Sequence, residues 1–257
     1  MYRTKEYTER PWDEIKMEID LAAKHIPDSK RIFLADGDAL NLSTERMVQI
    51  LDYIYQKFPK LERVSCYAMP KNLLEKTPED LKKLYDAGLK MFYIGIESGS
   101  DIILKKVTKG ATAQTIVKAC QKAKDVGYTL SCMIILGLGG KTYTKEHAVD
   151  TAMVVNAISP DYLGALTLYL EDGIRDEFMT KFKEPFVPVD DVDALDELEV
   201  LVSKIDSKKP IVFRSNHASN AYVIGGTLPA EKERLLHEIS ALKTHPEFCR
   251  PKEVRRF

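Results

Sequence analysis

The sequence predicts an α/β fold: a partial (β/α)6 TIM-like barrel that lacks its first strand and carries a C-terminal helical extension. Three observations predict it. Five strand-like apolar segments open near Arg31, Glu62, Met91, Thr129 and Tyr162, and their pitch of roughly 30–40 residues suits repeated βα units in a parallel sheet. Each of the five is followed by an amphipathic helix. The first helix, Trp12–Ile26, has only MYRTKEYTERP before it, and five of those eleven residues are charged, so they cannot form a buried parallel strand. The array begins in mid-repeat.

The elements follow from periodicity and punctuation. Trp12, Ile15, Ile19, Ala22, Ala23 and Ile26 recur on one face at helical spacing, as do Met47, Ile50, Leu51, Ile54 and Phe58 behind Ser43, a candidate N-cap. Thr77-Pro78-Glu79-Asp80 combines a capping hydroxyl, a proline in the first turn and acids facing the helix dipole, so it predicts a helix start, with Gly88 as its end. Thr112 opens the next helix and Gly127 closes it, and another covers about Lys145–Ile158 before Pro160. After the fifth strand, helices are expected around Asp190–Asp206 and Ala230–Lys243, with Ile211–Arg214 between them as a further strand candidate. No linker rich in Gly, Pro or Ser divides the chain. Residues 1–173 read as a core and 174–257 as an extension packed on it.

Composition narrows the function classes. The chain has 257 residues, with 38 Lys plus Arg against 39 Asp plus Glu and a net charge of −1, so nothing in it suggests binding to nucleic acid or to a membrane surface. No apolar run approaches the roughly 20 residues that span a bilayer, no signal-peptide pattern is present, and a cytoplasmic protein is expected. The four cysteines, Cys66, Cys120, Cys132 and Cys249, have no metal-ligand spacing. Cys120 shares a helix face with Ile116 and Ala123, while Cys66 and Cys132 lie in strand-like runs, so they read as buried, reduced thiols. The five histidines, His25, His147, His217, His237 and His245, are scattered, and no nucleophile–His pair is evident in the sequence.

In parallel βα arrays, function gathers in the loops at the strand ends. Those ends carry Asp36-Gly37-Asp38, then Tyr67-Ala68-Met69-Pro70, Glu97-Ser98-Gly99-Ser100-Asp101, Gly137-Leu138-Gly139-Gly140 and Glu171-Asp172-Gly173. Each alone also suits a turn, a helix cap or a plain loop. Together, glycines beside carboxylates and hydroxyls at successive strand ends favour one shared ligand site. The polar run Arg214–Asn220 reads equally as a hydrogen-bonded loop or as a place of substrate contact.

The runs FLADGDALNL, FYIGIESGSDIILKKVTKGAT and MIILGLGG resemble three consecutive motifs of the radical S-adenosylmethionine (radical SAM) superfamily. The middle run is similar to the fourth βα unit of its Elp3, coproporphyrinogen-dehydrogenase and methylthiotransferase branches. The resemblance covers roughly the first 173 residues in order and spacing. It implies that Gly37 and Asp38, with Asp36, hold the amino group of S-adenosylmethionine. Glu97, beside Ser98, stands near the cofactor's sugar, and Lys109 pairs with its carboxylate as a point charge. Ile135 and Gly137 pass beside adenine. Asp38, Glu97 and Lys109 are therefore expected to converge on one concavity with Gly37 and Gly137. Arg214, Asn216 and His217 are the candidates for substrate contact. Tyr67 and Met133 depart from the acidic contacts of the coproporphyrinogen branch, which argues against that particular enzyme.

The family also implies a [4Fe–4S] cluster held by three cysteines after strand one. The cluster passes an electron to the sulfonium, and a 5′-deoxyadenosyl radical then abstracts hydrogen from substrate. No cysteine here precedes Cys66. The resemblance therefore implies a chain cut just downstream of its cluster loop, with no metal ligands of its own and no activity alone. The full-length parent would be an enzyme served by an electron donor and acting on a small-molecule or unknown substrate. The alternative is a cluster-free protein that binds S-adenosylmethionine or another nucleoside without redox chemistry.

Overall fold

Seven strands follow one another through the sheet in the order of the chain. They are β1 (Arg31–Leu34), β2 (Arg63–Tyr67), β3 (Leu89–Glu97), β4 (Thr129–Leu136), β5 (Tyr162–Thr167), β6 (Ile211–Ser215) and β7 (Ile224–Leu228). This is the topology of a computed structural model that describes residues 7–35 and 37–255. The pairs β1–β2, β2–β3, β4–β5 and β5–β6 are parallel, and β6–β7 is antiparallel. The five expected strands and the Ile211–Arg214 candidate are present in this mostly parallel α/β sheet. β7 was not expected, because its IGGTL sequence lacks the β-branched, alternating run that marks a strand. Among the described residues it pairs with β6 alone, through a register that places Phe213 opposite Gly226.

The chain groups into two compact units. The first runs through Ile94 and takes in Ala119–Leu130. Here helix α2 (Thr44–Lys57) starts where Ser43 accepts the Arg46 N–H, and it buries Met47, Ile50, Leu51 and Ile54. Helix α4 (Pro78–Asp86) starts at the Thr77–Asp80 capping box, as the sequence predicts. Between β2 and α4 lies the short helix α3 (Pro70–Glu75). Helix α1 (Trp12–His25) behaves differently: it has the expected apolar face but no buried residue, and Met17 and Leu21 are exposed. Strand β1 stands at one end of the strand order. A cavity of about 470 Å³ opens beside it, lined by Phe33 and Leu34 from the strand, Ile15 and Ile19 from α1, and Ile50 and Ile54 from α2.

The second unit comprises Gly95–Lys118 and the chain from Ser131 onward. Helix α5 (Asp101–Lys106) follows β3, and α6 (Ala113–Val126) begins in this unit. Helix α7 (Gly140–Ile158) begins five residues before the predicted start, directly out of the glycine turn with Gly139 at its N-cap. Helices α8 (Asp172–Phe182), α9 (Asp191–Lys204) and α10 (Lys232–Thr244) complete the unit. Asp190 caps α9 and receives the N–H groups of Val192 and Asp193. Among the described residues no helix is long and apolar enough to cross a membrane.

Candidate functional site

Asp36 lies outside the described residues. Its neighbours Gly37 and Asp38 follow β1 and line the 470 Å³ cavity of the first unit. Asp38 is held by a side chain that the sequence reading missed: Asn72 donates its Nδ2 hydrogen to Asp38 Oδ2 at 2.9 Å. The Asn72 Oδ1 is itself occupied by the Met69 N–H at 2.9 Å, so the capping of α3 orients the amide toward Asp38. Asn72 is 3% exposed. Behind Asp38, burial and the Asp38 charge push the Cys66 thiol up to about 12, far from the range in which a thiolate would form. On one face of the same strands, Phe33, Tyr67 and Tyr93 meet edge to face, with centroids 4.8–6.3 Å apart.

Glu97, Ser98, Lys109, Ile135 and Gly137 fall in the second unit. Glu97 ends β3 with φ 65°, a left-handed conformation that costs a non-glycine residue energy and recurs at functional positions. Its Oε1 lies 3.0 Å from Lys109 Nζ, with the two side chains 23% and 21% exposed. Gly95 makes this possible. A Cβ there would stand 1.9 Å from Glu97 Oε1 and 3.2 Å from Lys109 Nζ. The pair is therefore a partly shielded, bipolar group at a strand end.

Ile135 and Gly137 form the exit of β4. Gly137 has φ 77°, and a Cβ on it would meet Val189 Cγ2 at 2.5 Å, so only glycine fits the turn. Its N–H lies beyond the β4–β5 ladder, which ends at Leu136↔Thr167. It is taken by Glu197 Oε1 at 2.8 Å, while Glu197 Oε2 accepts from Thr144 Oγ1 at 2.6 Å. Burial pushes the Glu197 carboxyl up, and His147, Thr144 and the Gly137 N–H oppose that shift.

Sequence reading found no nucleophile–His pair, but the structure contains one. Ser98 Oγ and His147 Nδ1 are 2.8 Å apart, and His147 Nε2 lies 2.9 Å from the Ile135 carbonyl oxygen and 3.5 Å from Glu197 Oε1. The order is reversed from a hydrolytic triad, in which serine pairs with Nε2 and the acid with Nδ1. Ser98 is 0% exposed and His147 1%, so no substrate reaches the hydroxyl. The signal was present in the sequence as Thr144, His147 and Thr151, polar residues three and four apart on one helix face.

Arg214, Asn216 and His217 lie together at the end of β6 and are exposed. His217 Nδ1 receives the Ser219 N–H at 3.1 Å. Ser219 Oγ in turn accepts the Thr167 N–H, and Asn220 Nδ2 reaches the Ala165 carbonyl at 2.9 Å. The loop is thus hydrogen-bonded to β5. His217 and Ile135 both line a cavity of about 250 Å³, together with Leu166, Tyr169, Glu171 and Ile174. One cofactor candidate and one substrate candidate therefore share a cleft.

A family model described as the Radical SAM superfamily matches residues 2–152. The heme chaperone HemW of Bacillus subtilis (strain 168) is 27% identical over 133 residues, which are 51% of this chain and 35% of that protein. Among solved structures, the radical SAM enzyme coproporphyrinogen III oxidase (HemN) from Escherichia coli aligns with a TM-score of 0.58 and 16% identity, over 75% of this chain and 45% of that one. The archaeal Elp3 of Methanocaldococcus infernus aligns with a TM-score of 0.58 and 16% identity, over 93% of this chain and 60% of that one. At these identities the structures show a shared fold. The chain spans about a third of its curated relative and about half of these structures.

Proposed function

Because this chain belongs to the radical SAM superfamily, we propose that it is the S-adenosylmethionine-binding part of a radical enzyme. The observation that carries this reading is the Glu97–Lys109 pair at the end of β3, seated over Gly95. An ammonium on the rim of a half-shielded site is free to take a carboxylate as a second partner, and a neighbouring carboxylate suits the hydroxyls of a ribose. Asp38, fixed by Asn72, supplies the anion for an ammonium group, and Gly37 presents a backbone with open space above it. Ile135 and Gly137 provide the apolar and backbone surface for adenine.

The residues present suit that cofactor, whose chemistry in this family is radical-initiated hydrogen abstraction. They do not suit a [4Fe–4S] cluster. Cys66, Cys120 and Cys132 are buried, and Cys249 is bound by Arg255 Nη2 at 3.0 Å. Among the described residues no group of three His, Cys, Asp or Glu could hold a metal. We therefore assign any cluster to cysteines outside these 257 residues and reductive cleavage to a protein that includes them. Its partners are an electron donor and a small-molecule substrate met near His217, Arg214 and Asn216. Cysteines that form no disulfide among the described residues suit a reducing, cytoplasmic setting.

Isothermal titration of the chain with S-adenosylmethionine and S-adenosylhomocysteine tests this reading. Binding of both is expected, weakened about tenfold or more by Lys109→Met and by Asp38→Asn, which corresponds to the loss of one charge-assisted contact. Unaltered affinity in both variants overturns the assignment.

A further inference from the structure

Four segments of the second unit meet at two buried side chains that the proposed cofactor contacts leave unused. Glu197 comes from α9 and His147 from α7, and they are 2% and 1% exposed. Between them they hold the exits of two strands. At the β4 exit, Glu197 Oε1 takes the Gly137 N–H at 2.8 Å. His147 Nε2 faces the Ile135 carbonyl at 2.9 Å; a carbonyl only accepts, so Nε2 carries the hydrogen. At the β3 exit, His147 Nδ1 meets Ser98 Oγ at 2.8 Å, and that oxygen accepts the Ser100 N–H at 3.0 Å. Ser98 thereby spends its acceptor on the backbone and keeps its own hydrogen for the imidazole. Thr151 Oγ1 takes the Gly99 N–H at 2.9 Å.

The accounting is complete. Both carboxylate oxygens, both ring nitrogens and the three loop N–H groups have partners, and all of these contacts are inside the protein. A buried carboxylate is expensive to keep in an apolar setting, and an apolar side chain would fill the same volume without that cost. What the acid provides is an acceptor for a backbone N–H that the sheet cannot satisfy, since the φ of Gly137 turns it out of the β4–β5 ladder. Glu97 immediately precedes Ser98, so the same network sets the direction in which Glu97 leaves β3.

We infer that Glu197 is a positioning residue: through the Gly137 N–H it holds the β4 exit, beside the His147 contacts that hold the β3 exit, in the arrangement that binds the adenosine portion of the ligand. This rests on the reading that Ile135, Gly137 and Glu97 contact that ligand. A role confined to stability is the competing account, and it predicts the same loss of melting temperature without a selective loss of binding.

The test uses the 257-residue chain and four variants, with adenosine and S-adenosylhomocysteine as probes. Glu197→Gln keeps an oxygen for the Gly137 N–H and an amide that Thr144 can accept. Glu197→Ala removes both, and Leu198→Ala opens a cavity one residue away on the same helix. Amide exchange at Gly137 and the Kd for each probe are measured. Glu197→Ala is expected to speed exchange at Gly137 and to raise both Kd values about tenfold. Glu197→Gln stays within about threefold of the parent, and Leu198→Ala lowers the melting temperature with Kd within about twofold. Should Glu197→Ala not fold, Thr144→Val, which removes only the Oε2 partner, is expected to raise both Kd values about threefold or more. A folded Glu197→Ala or Thr144→Val with unchanged Kd overturns the inference, as does a loss in Leu198→Ala equal to that in Glu197→Ala. If the unsubstituted chain binds neither probe, the cofactor reading fails and this role with it. If the chain binds and Glu197→Ala and Thr144→Val leave Kd unmoved, the positioning role alone fails.

Discussion

Lys109 Nζ lies 3.0 Å from Glu97 Oε1 across the open face of Gly95. The pair unites a residue at the end of β3 with one after α5, and it depends on an atom that is missing. A methyl on Gly95 would sit 1.9 Å from the same Glu97 oxygen. The carboxylate is the far end of a flexible side chain, so it would swing away and leave the lysine behind.

Gly95→Ala is therefore expected to separate the ion pair while leaving the fold intact. A pair this close to solvent contributes about 1 kcal/mol or less to stability, so urea denaturation should show a small change. Affinity for S-adenosylhomocysteine should fall about tenfold. Equal affinity in Gly95→Ala and the unsubstituted chain would remove the pair from the site.

Asn72→Ala deprives both the Met69 N–H and Asp38 Oδ2 of a partner. Loss of a buried hydrogen-bonding group costs about 1–3 kcal/mol, which a urea titration would record. Asn72→Asp should do worse, because it sets a second carboxylate against Asp38. A stability order with the aspartate variant above the alanine variant would contradict the contact.

The cysteines give a chemical test of the fold. Cys66, Cys120 and Cys132 are each 0% exposed, and Cys66 titrates only at about 12. At pH 8 iodoacetamide should label Cys249 alone, with the other three reacting only after denaturation. Rapid native labelling of Cys66 would place β2 elsewhere.

The cap of α4 has a predictable acid limit. The Thr77 hydroxyl beside Asp80 holds that carboxyl below its ordinary 3.8, helped by the Thr77 backbone. A carboxyl whose folded pKa is depressed stabilises the fold above its unfolded value and loses that contribution as pH falls through the folded one. Protection of the amides at the start of α4, the ratio of intrinsic to observed exchange rate, should therefore hold above pH 3.8 and fall as pH drops below it. In Asp80→Asn that pH-dependent fall in protection should be absent.

Much of this was legible in the sequence, for physical reasons. The strands of the parallel array announce themselves because apolar side chains dominate their runs and alternate toward a buried face, and the caps at Ser43 and Thr77 depend on short-range hydrogen bonds. Helix α1 shows the limit: its periodicity was correct, yet none of its residues is buried, because periodicity reports a face and not what covers it. The contacts of Asn72 with Asp38 and of Glu197 with Gly137 join residues 34 and 60 positions apart. No local pattern encodes such pairings. His147 was seen only as a scattered histidine, since its partners Ser98, just past β3, and Ile135, in β4, lie 49 and 12 positions away.

Strand β1 stands at one end of the strand order, with Phe33 36% exposed. An exposed edge with an apolar face invites pairing with a second chain. Sedimentation should show association that grows with concentration, and Phe33→Lys should reduce it. Monomeric behaviour at all concentrations would indicate that the edge is already protected.

The most direct measurement is anaerobic reconstitution of the chain with iron and sulfide, followed by reduction in the presence of S-adenosylmethionine. Bound cofactor is read by titration, and cleavage by the release of 5′-deoxyadenosine. The expected result is saturable binding that Lys109→Met abolishes or weakens, with no stoichiometric [4Fe–4S] absorbance and no 5′-deoxyadenosine. Failure to bind S-adenosylmethionine, or a stoichiometric cluster that cleaves it, would contradict the account.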